Sequence, residues 1–109
     1  MALADAFREA ALVALPEELL FRGLVQGEIR ARTGSSPIAV AAGAALFALA
    51  HVAAGAGAPG LLTVFPGLLF GILRALSGSV WTAVAAHAVA NTLWAAWVQT
   101  AGPLVSLTL

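Results

Sequence analysis

The sequence predicts an all-α fold, a polytopic membrane bundle of about four helices. Three observations carry this. Of the 109 residues, 61% are hydrophobic and 9% are charged. A soluble domain has about 25% charged residues, so this chain lacks the charge to cover a water-facing surface. The apolar runs are long, rich in Ala and without the period-two alternation of strands. Clusters of Gly, Pro and Ser cut them into segments near spanning length. Formal net charge is zero, which points to no nucleic-acid or acidic partner. There is no Cys, so disulfide and thiolate chemistry are excluded. Met1 to Ala14 is interrupted by Asp5, Arg8 and Glu9 and does not read as a signal peptide.

In chain order, Met1 to Arg32 reads as a helical region rich in Ala and Leu, interrupted by Pro16. Two readings fit. One is a kinked single helix. The other is a short interfacial helix over residues 3–14 followed by a new one from Pro16, favoured because Asp5, Arg8 and Glu9 suit an interface. Gly34 can end this region, Ser36 can cap the next helix, and Pro37 suits its first position. Ile38 to Ala54 follows as an apolar helix, and Gly55 to Gly60 as a flexible loop. Leu61 to Leu76 is a third helix with a kink at Pro66, and Gly67 and Gly71 have the spacing of close helix contact in lipid. After the Ser77–Ser79 turn, Val80 to Thr100 reads as the clearest span. Trp81, Trp94 and Trp97 lie towards its ends, and Gly102–Pro103 ends it. Arg30, Arg32 and Arg74 place two turns on one side, cytoplasmic by the positive-inside rule.

Three segments carry the polar residues. In Pro16–Arg22, Glu18 and Arg22 share a helix face at i,i+4, while Glu17 points elsewhere. Arg22 can neutralise Glu18 and hold it as structure, leaving Glu17 as a general base. Charge within a spanning segment usually marks function; a solvated cluster on an interfacial helix is the alternative. Phe47 and His51 share a face of the second helix. His51 reads as a hydrogen-bonded core residue or a functional one, and Phe47 as packing that also walls the site. His87 and Asn91 share a face of the last helix. Both can donate hydrogen bonds, either to an oxyanion or as glue between helices. At 1.5 Å per residue, Glu17 lies about 20 Å from Arg30, His51 about 21 Å from Pro37, and His87 and Asn91 about 12 and 18 Å from Ser79. The three segments therefore reach one layer, nearer the face opposite the arginines.

Glu17-Glu18-x-x-x-Arg22, Phe47-x-x-x-His51 and His87-x-x-x-Asn91 together resemble the three ordered motifs of the CAAX prenyl endopeptidase and bacteriocin-processing family (CPBP, or Abi). These are intramembrane glutamate-type proteases. The resemblance covers Pro16 to Asn91. It implies an integral membrane protein of a bacterial or archaeal plasma membrane, with residues 1–109 forming a single protease core that lacks N-terminal helices of longer members. It implies that Glu17 activates a water that His51 also binds. His87 and Asn91 would form the oxyanion hole, and Glu18 and Arg22 would orient the site, with Glu18 a possible sharer in catalysis. Peptide-bond hydrolysis would then proceed without a covalent acyl-enzyme, a cofactor or a metal. The implied partners are membrane lipid and a peptide or lipidated-peptide substrate. Two rival readings stand beside it. Glu17, His51 and His87 also resemble a His₂Glu zinc set, though without an HExxH motif. The same cluster could serve packing alone, in a membrane scaffold or a bacteriocin self-immunity protein.

Overall fold

The computed structural model describes the backbone of residues 2–108 and side-chain surroundings through residue 101. Four helical rods make up the described chain. The first joins α1 (Leu3–Glu18), a π-helical stretch at Leu19–Val25 and α2 (Gln26–Thr33) without interruption. Pro16 lies inside α1, so the expected break into an interfacial helix and a new one does not occur. The hydrogen bond lost to proline is followed by a wider π turn, and the residues flanking that turn keep right-handed helical dihedrals.

The π stretch has a packing consequence. Ala10, Ala14, Glu18, Arg22 and Gln26 are all buried, at intervals of four residues. On an ideal α-helix such a row drifts about 40° per step. A π turn holds more residues per turn, so the row stays facing the other rods for longer.

The rod ends at Gly34, whose φ of 69° lies in the left-handed region that glycine enters without a Cβ penalty. Ser35, one residue earlier than expected, caps α3 (Ser36–His51) by accepting from the Ile38 N–H at 3.2 Å. α3 widens into a π turn at Val52–Ala56, and a 3-10 stretch at Ala58–Thr63 leads into α4 (Val64–Ser77). The expected loop at 55–60 is thus mostly helical backbone. It reverses at Gly55 and Gly57, where φ is 110° and 66°. Pro66 sits in the first turn of α4, within one continuous rod and just after the change from 3-10 to α-helix at Thr63–Val64. Helical backbone runs over Val80–Thr108 (α5) but is broken by non-helical dihedrals at Ala101, where φ is −104° and ψ 15°, so the first helix of this rod ends just before Gly102–Pro103, as expected.

Ser36–Ala56 and Ala58–Ser77 are long and apolar enough to cross a membrane, with mean hydropathy 2.0 and 1.7. α5 does not meet that test among the described residues, although it looked the clearest span. His87, Asn91 and its three Trp residues lower its hydropathy.

The bundle is polar inside and apolar outside. Glu18, Arg22, Gln26, His87 and Thr92 are buried among Ala and two Phe side chains, while Leu12, Leu24, Leu62, Trp81 and Trp94 are each more than 60% exposed. Water would not tolerate this arrangement, but hydrocarbon favours it. Lipid tails solvate Leu as well as a core would, and small residues with interhelical hydrogen bonds supply the cohesion.

α1 and α5 pack side by side, α3 lies on α4 and α2, and α4 also meets α5. The closest approach to α4 uses its two buried glycines. A Cβ at Gly67 would lie 3.0 Å from Arg22 Nη2 and 3.3 Å from Phe47 Cδ2, and one at Gly71 would lie 3.0 Å from Gln26 Oε1 and 3.1 Å from Val40 Cγ1. Gly67→Ala should therefore lower stability by about 1–3 kcal/mol, the usual range for overpacking. Gly27→Ala, with nothing within 4 Å of the added carbon, should instead raise it by about 0.5–1 kcal/mol through helix propensity. Reversible unfolding in mixed micelles, followed by tryptophan fluorescence, measures both.

Candidate active site

Four rods contribute to one polar cluster. The first rod supplies Glu17, Glu18, Arg22 and Gln26. Arg22 Nη1 donates to Glu18 Oε2 at 2.9 Å, the i,i+4 pair expected from spacing. Its Nη2 donates to the Gly67 carbonyl of α4 at 2.7 Å. One turn further, Gln26 Nε2 donates to the Gly71 carbonyl at 3.1 Å. Two side chains four residues apart thus meet two carbonyls four residues apart. Each carbonyl uses the lone pair that its own helix leaves free. The Arg22 guanidinium also lies over the Phe47 ring at 4.4 Å and near the Phe70 ring at 5.5 Å. These aromatic faces replace part of its hydration.

α5 supplies His87, which is buried against the Phe70 ring in a stacked arrangement at 4.8 Å. Its Nδ1 lies 3.1 Å from Glu18 Oε2 and its Nε2 lies 3.6 Å from Glu17 Oε2. A carboxylate can only accept, so Nδ1–H donates to Glu18. In the neutral ring Nε2 is then a lone pair on the Glu17 side. The two adjacent glutamates differ sharply. Glu18 is fully buried between Arg22 and His87, while the Glu17 side chain is 32% exposed. Glu17 makes no hydrogen bond among the described residues.

α3 supplies Phe47 and His51. Phe47 is the hub: its ring centroid is 4.4 Å from His51, 6.0 Å from His87 and 5.3 Å from Phe21. His51 is half-buried, and its Nδ1 lies 2.8 Å from the Phe47 carbonyl. That carbonyl can only accept, which fixes the Nδ1–H tautomer and leaves Nε2 as an acceptor. Asn91 is half-buried one turn beyond His87, and its side chain makes no hydrogen bond among the described residues. The structure thus gathers Glu17, Glu18, Arg22, Phe47, His51 and His87 in contact. It sets Asn91 on the same helix without joining it to them. Among the described residues no three His, Cys, Asp or Glu side chains are grouped so as to hold a metal ion.

Gln26 and Phe70 were not singled out from sequence. The signal for Gln26 was present, since Glu18, Arg22 and Gln26 repeat at four residues as do Gly67 and Gly71. Phe70 carried no signal, because its role is set by which ring of α4 meets His87.

Residues 1–93 match a family model described as type II CAAX prenyl endopeptidase, Rce1-like. The chain belongs to this family. No curated protein and no solved structure matches it. Membership in the Rce1-like family, two helices able to span a bilayer and a polar interior under an apolar exterior identify a membrane protein of a protease family. For this Rce1-like chain the matched region includes all of the polar cluster.

Removing one partner of a buried ion pair leaves the other charge uncompensated, at a cost of about 3–5 kcal/mol. Arg22→Met should therefore destabilise strongly, and Glu18→Gln combined with Arg22→Met should be more stable than Arg22→Met alone. A double-mutant cycle on unfolding free energies in micelles checks this. Additive losses would show that the pair does not couple.

Proposed function

We propose that the chain hydrolyses a peptide bond in a membrane-associated peptide, with a lipidated C-terminal segment as the substrate class, through a water activated by Glu17. The observation that carries this reading is the contrast between neighbouring carboxylates. Glu18 is committed to Arg22 and His87, whereas Glu17 is partly reachable and has no hydrogen bond among the described residues. A general base must be free to take a proton.

In this reading the water sits between Glu17 and His51 Nε2, both acceptors, so its two protons have separate partners. Glu17 takes one proton as the water oxygen attacks the substrate carbonyl. The oxyanion that forms accepts from the Asn91 amide and from His87 Nε2–H. His87 donates there in its doubly protonated form, since its Nδ1–H is given to Glu18. The tetrahedral species then collapses, the C–N bond breaks, and Glu17 returns its proton to the leaving amine. Phe47, Phe70 and Phe21 surround the cluster and limit other water. An apolar cleft between α1 and α5, lined by Leu3, Phe7, Val89 and Leu93, supports a substrate that carries hydrocarbon. The Rce1-like match supports the same substrate class.

Cleavage of a farnesylated C-terminal peptide in liposomes tests the reading. Glu17→Gln should fold normally and lose about 10²–10⁴-fold in turnover, the range for a lost general base. His51→Ala should also lose turnover without loss of helicity. Wild-type rates in folded Glu17→Gln would remove the base from this mechanism. Full biological effect in both variants would make the cluster a packing device.

A further inference from the structure

The arginine end of the bundle holds a polar feature that the proposed chemistry does not use. A cavity of about 250 Å³ opens between α2, α3 and α4, with Arg22, Gln26, Arg30, Ser36 and Arg74 on its walls. It has room for several waters at ~30 Å³ each. Three guanidinium groups line it and no carboxylate does. Arg30 donates from Nε to Ser36 Oγ at 3.0 Å. Among the described residues neither Arg30 nor Arg74 pairs with a carboxylate.

Three of the residues that line this space each carry a buried polar atom without a partner. Arg22 is 1% exposed, and the Nε–H groups of Arg22 and Arg74 are both buried without an acceptor. Gln26 Oε1 is likewise buried without a donor. Buried polar groups are normally satisfied, and a charged donor left without an acceptor is costly. Water can satisfy each of these groups singly, but only an anion with several acceptor oxygens also offsets the Arg30 and Arg74 charges. A phosphate with an attached or neighbouring hydroxyl does both, and guanidinium forks match phosphate oxygens.

We propose that this cavity binds phosphate, and that its occupant is the headgroup of an anionic membrane lipid. The position favours a lipid over a free ion. Arg30 lies in the last turn of α2, Ser36 begins α3, and Arg74 lies in the last turn of α4. These are the ends of the two apolar spans, where headgroups lie, and arginines at span ends recruit anionic lipid. The site also reaches the catalytic cluster through one side chain. Arg22 is held by Glu18 and Gly67 through Nη1 and Nη2, so a phosphate accepting from its Nε–H would fix the same guanidinium from the other side.

Thermal unfolding of the full chain in a neutral detergent, read by tryptophan fluorescence at constant ionic strength, tests this. The probes are dihexanoyl phosphatidylglycerol, dihexanoyl phosphatidylcholine and inorganic phosphate. Phosphatidylglycerol should raise the Tm saturably. Its apparent Kd should rise about tenfold in Arg74→Gln and in Arg30→Gln, and stay unchanged in Arg8→Gln at the opposite end. Phosphatidylcholine should have no saturable effect. If Arg74→Gln loses helicity by circular dichroism, Arg30→Gln decides, because Arg30 is exposed. Equal phosphatidylglycerol affinity in all variants, or equal stabilisation by phosphatidylcholine, overturns the site. Saturation by inorganic phosphate at equal or lower concentration than phosphatidylglycerol overturns the lipid as occupant. Binding is read here without turnover, so the outcome is independent of the protease reading.

Discussion

The burial of the Arg22 charge is the constraint on which the rest of the bundle depends. A guanidinium has five N–H donors and no acceptor, and in an apolar interior each must be answered. Glu18 answers one from the same rod, and the Gly67 carbonyl answers another from α4. Phe47 of α3 and Phe70 of α4 offer their ring faces. This one side chain therefore sets the approach of two helices to the first. It also explains why α4 carries glycine where it does, since a methyl group at Gly67 would occupy the space of the Arg22 head.

The adjacent glutamates show how little sequence distance is needed to separate two roles. Neighbouring helical residues differ by about 100° in direction. That rotation takes Glu18 into the interior, where Arg22 and His87 both bind one of its oxygens, and leaves Glu17 at the rim. His87 faces both carboxylates, one from each ring nitrogen. It links the structural carboxylate to the proposed base through a single ring.

Much of this was legible from residues alone, and the failures have physical causes. The all-α membrane class followed from composition and run length. The i,i+4 relation of Glu18 and Arg22 followed from helical period. Pro16 misled because proline inside a helix usually signals a break, and nothing local announces that a π turn will follow and keep the rod continuous. That same turn keeps Arg22 and Gln26 on the buried side reached by Ala10, Ala14 and Glu18. α5 was overrated as a span because its length was weighed above the polarity of His87 and Asn91. The ring pairings of Phe47 and Phe70 depend on helix rotation between rods, which periodicity within one rod does not contain. The depth arithmetic put His51 and His87 in one layer, yet it could not say that the Phe47 ring would meet both.

The polar network does for this fold what a hydrophobic core does for a soluble one. Between helices in lipid, apolar burial contributes little net drive, because hydrocarbon solvates Leu on either side. Cohesion must come from close packing of small residues and from hydrogen bonds such as Arg22 to Gly67 and Gln26 to Gly71. The consequence is that the groups holding the helices together and the groups proposed for chemistry are drawn from one cluster, yet they are separable. Glu18, Arg22 and Gln26 each hold a neighbouring side chain or helix by hydrogen bonds. Glu17, the Nε2 face of His51 and Asn91 hold none among the described residues. In a bundle whose interior is otherwise alanine, glycine and phenylalanine, unspent polar capacity beside a fixed ion pair is what distinguishes a site from a scaffold.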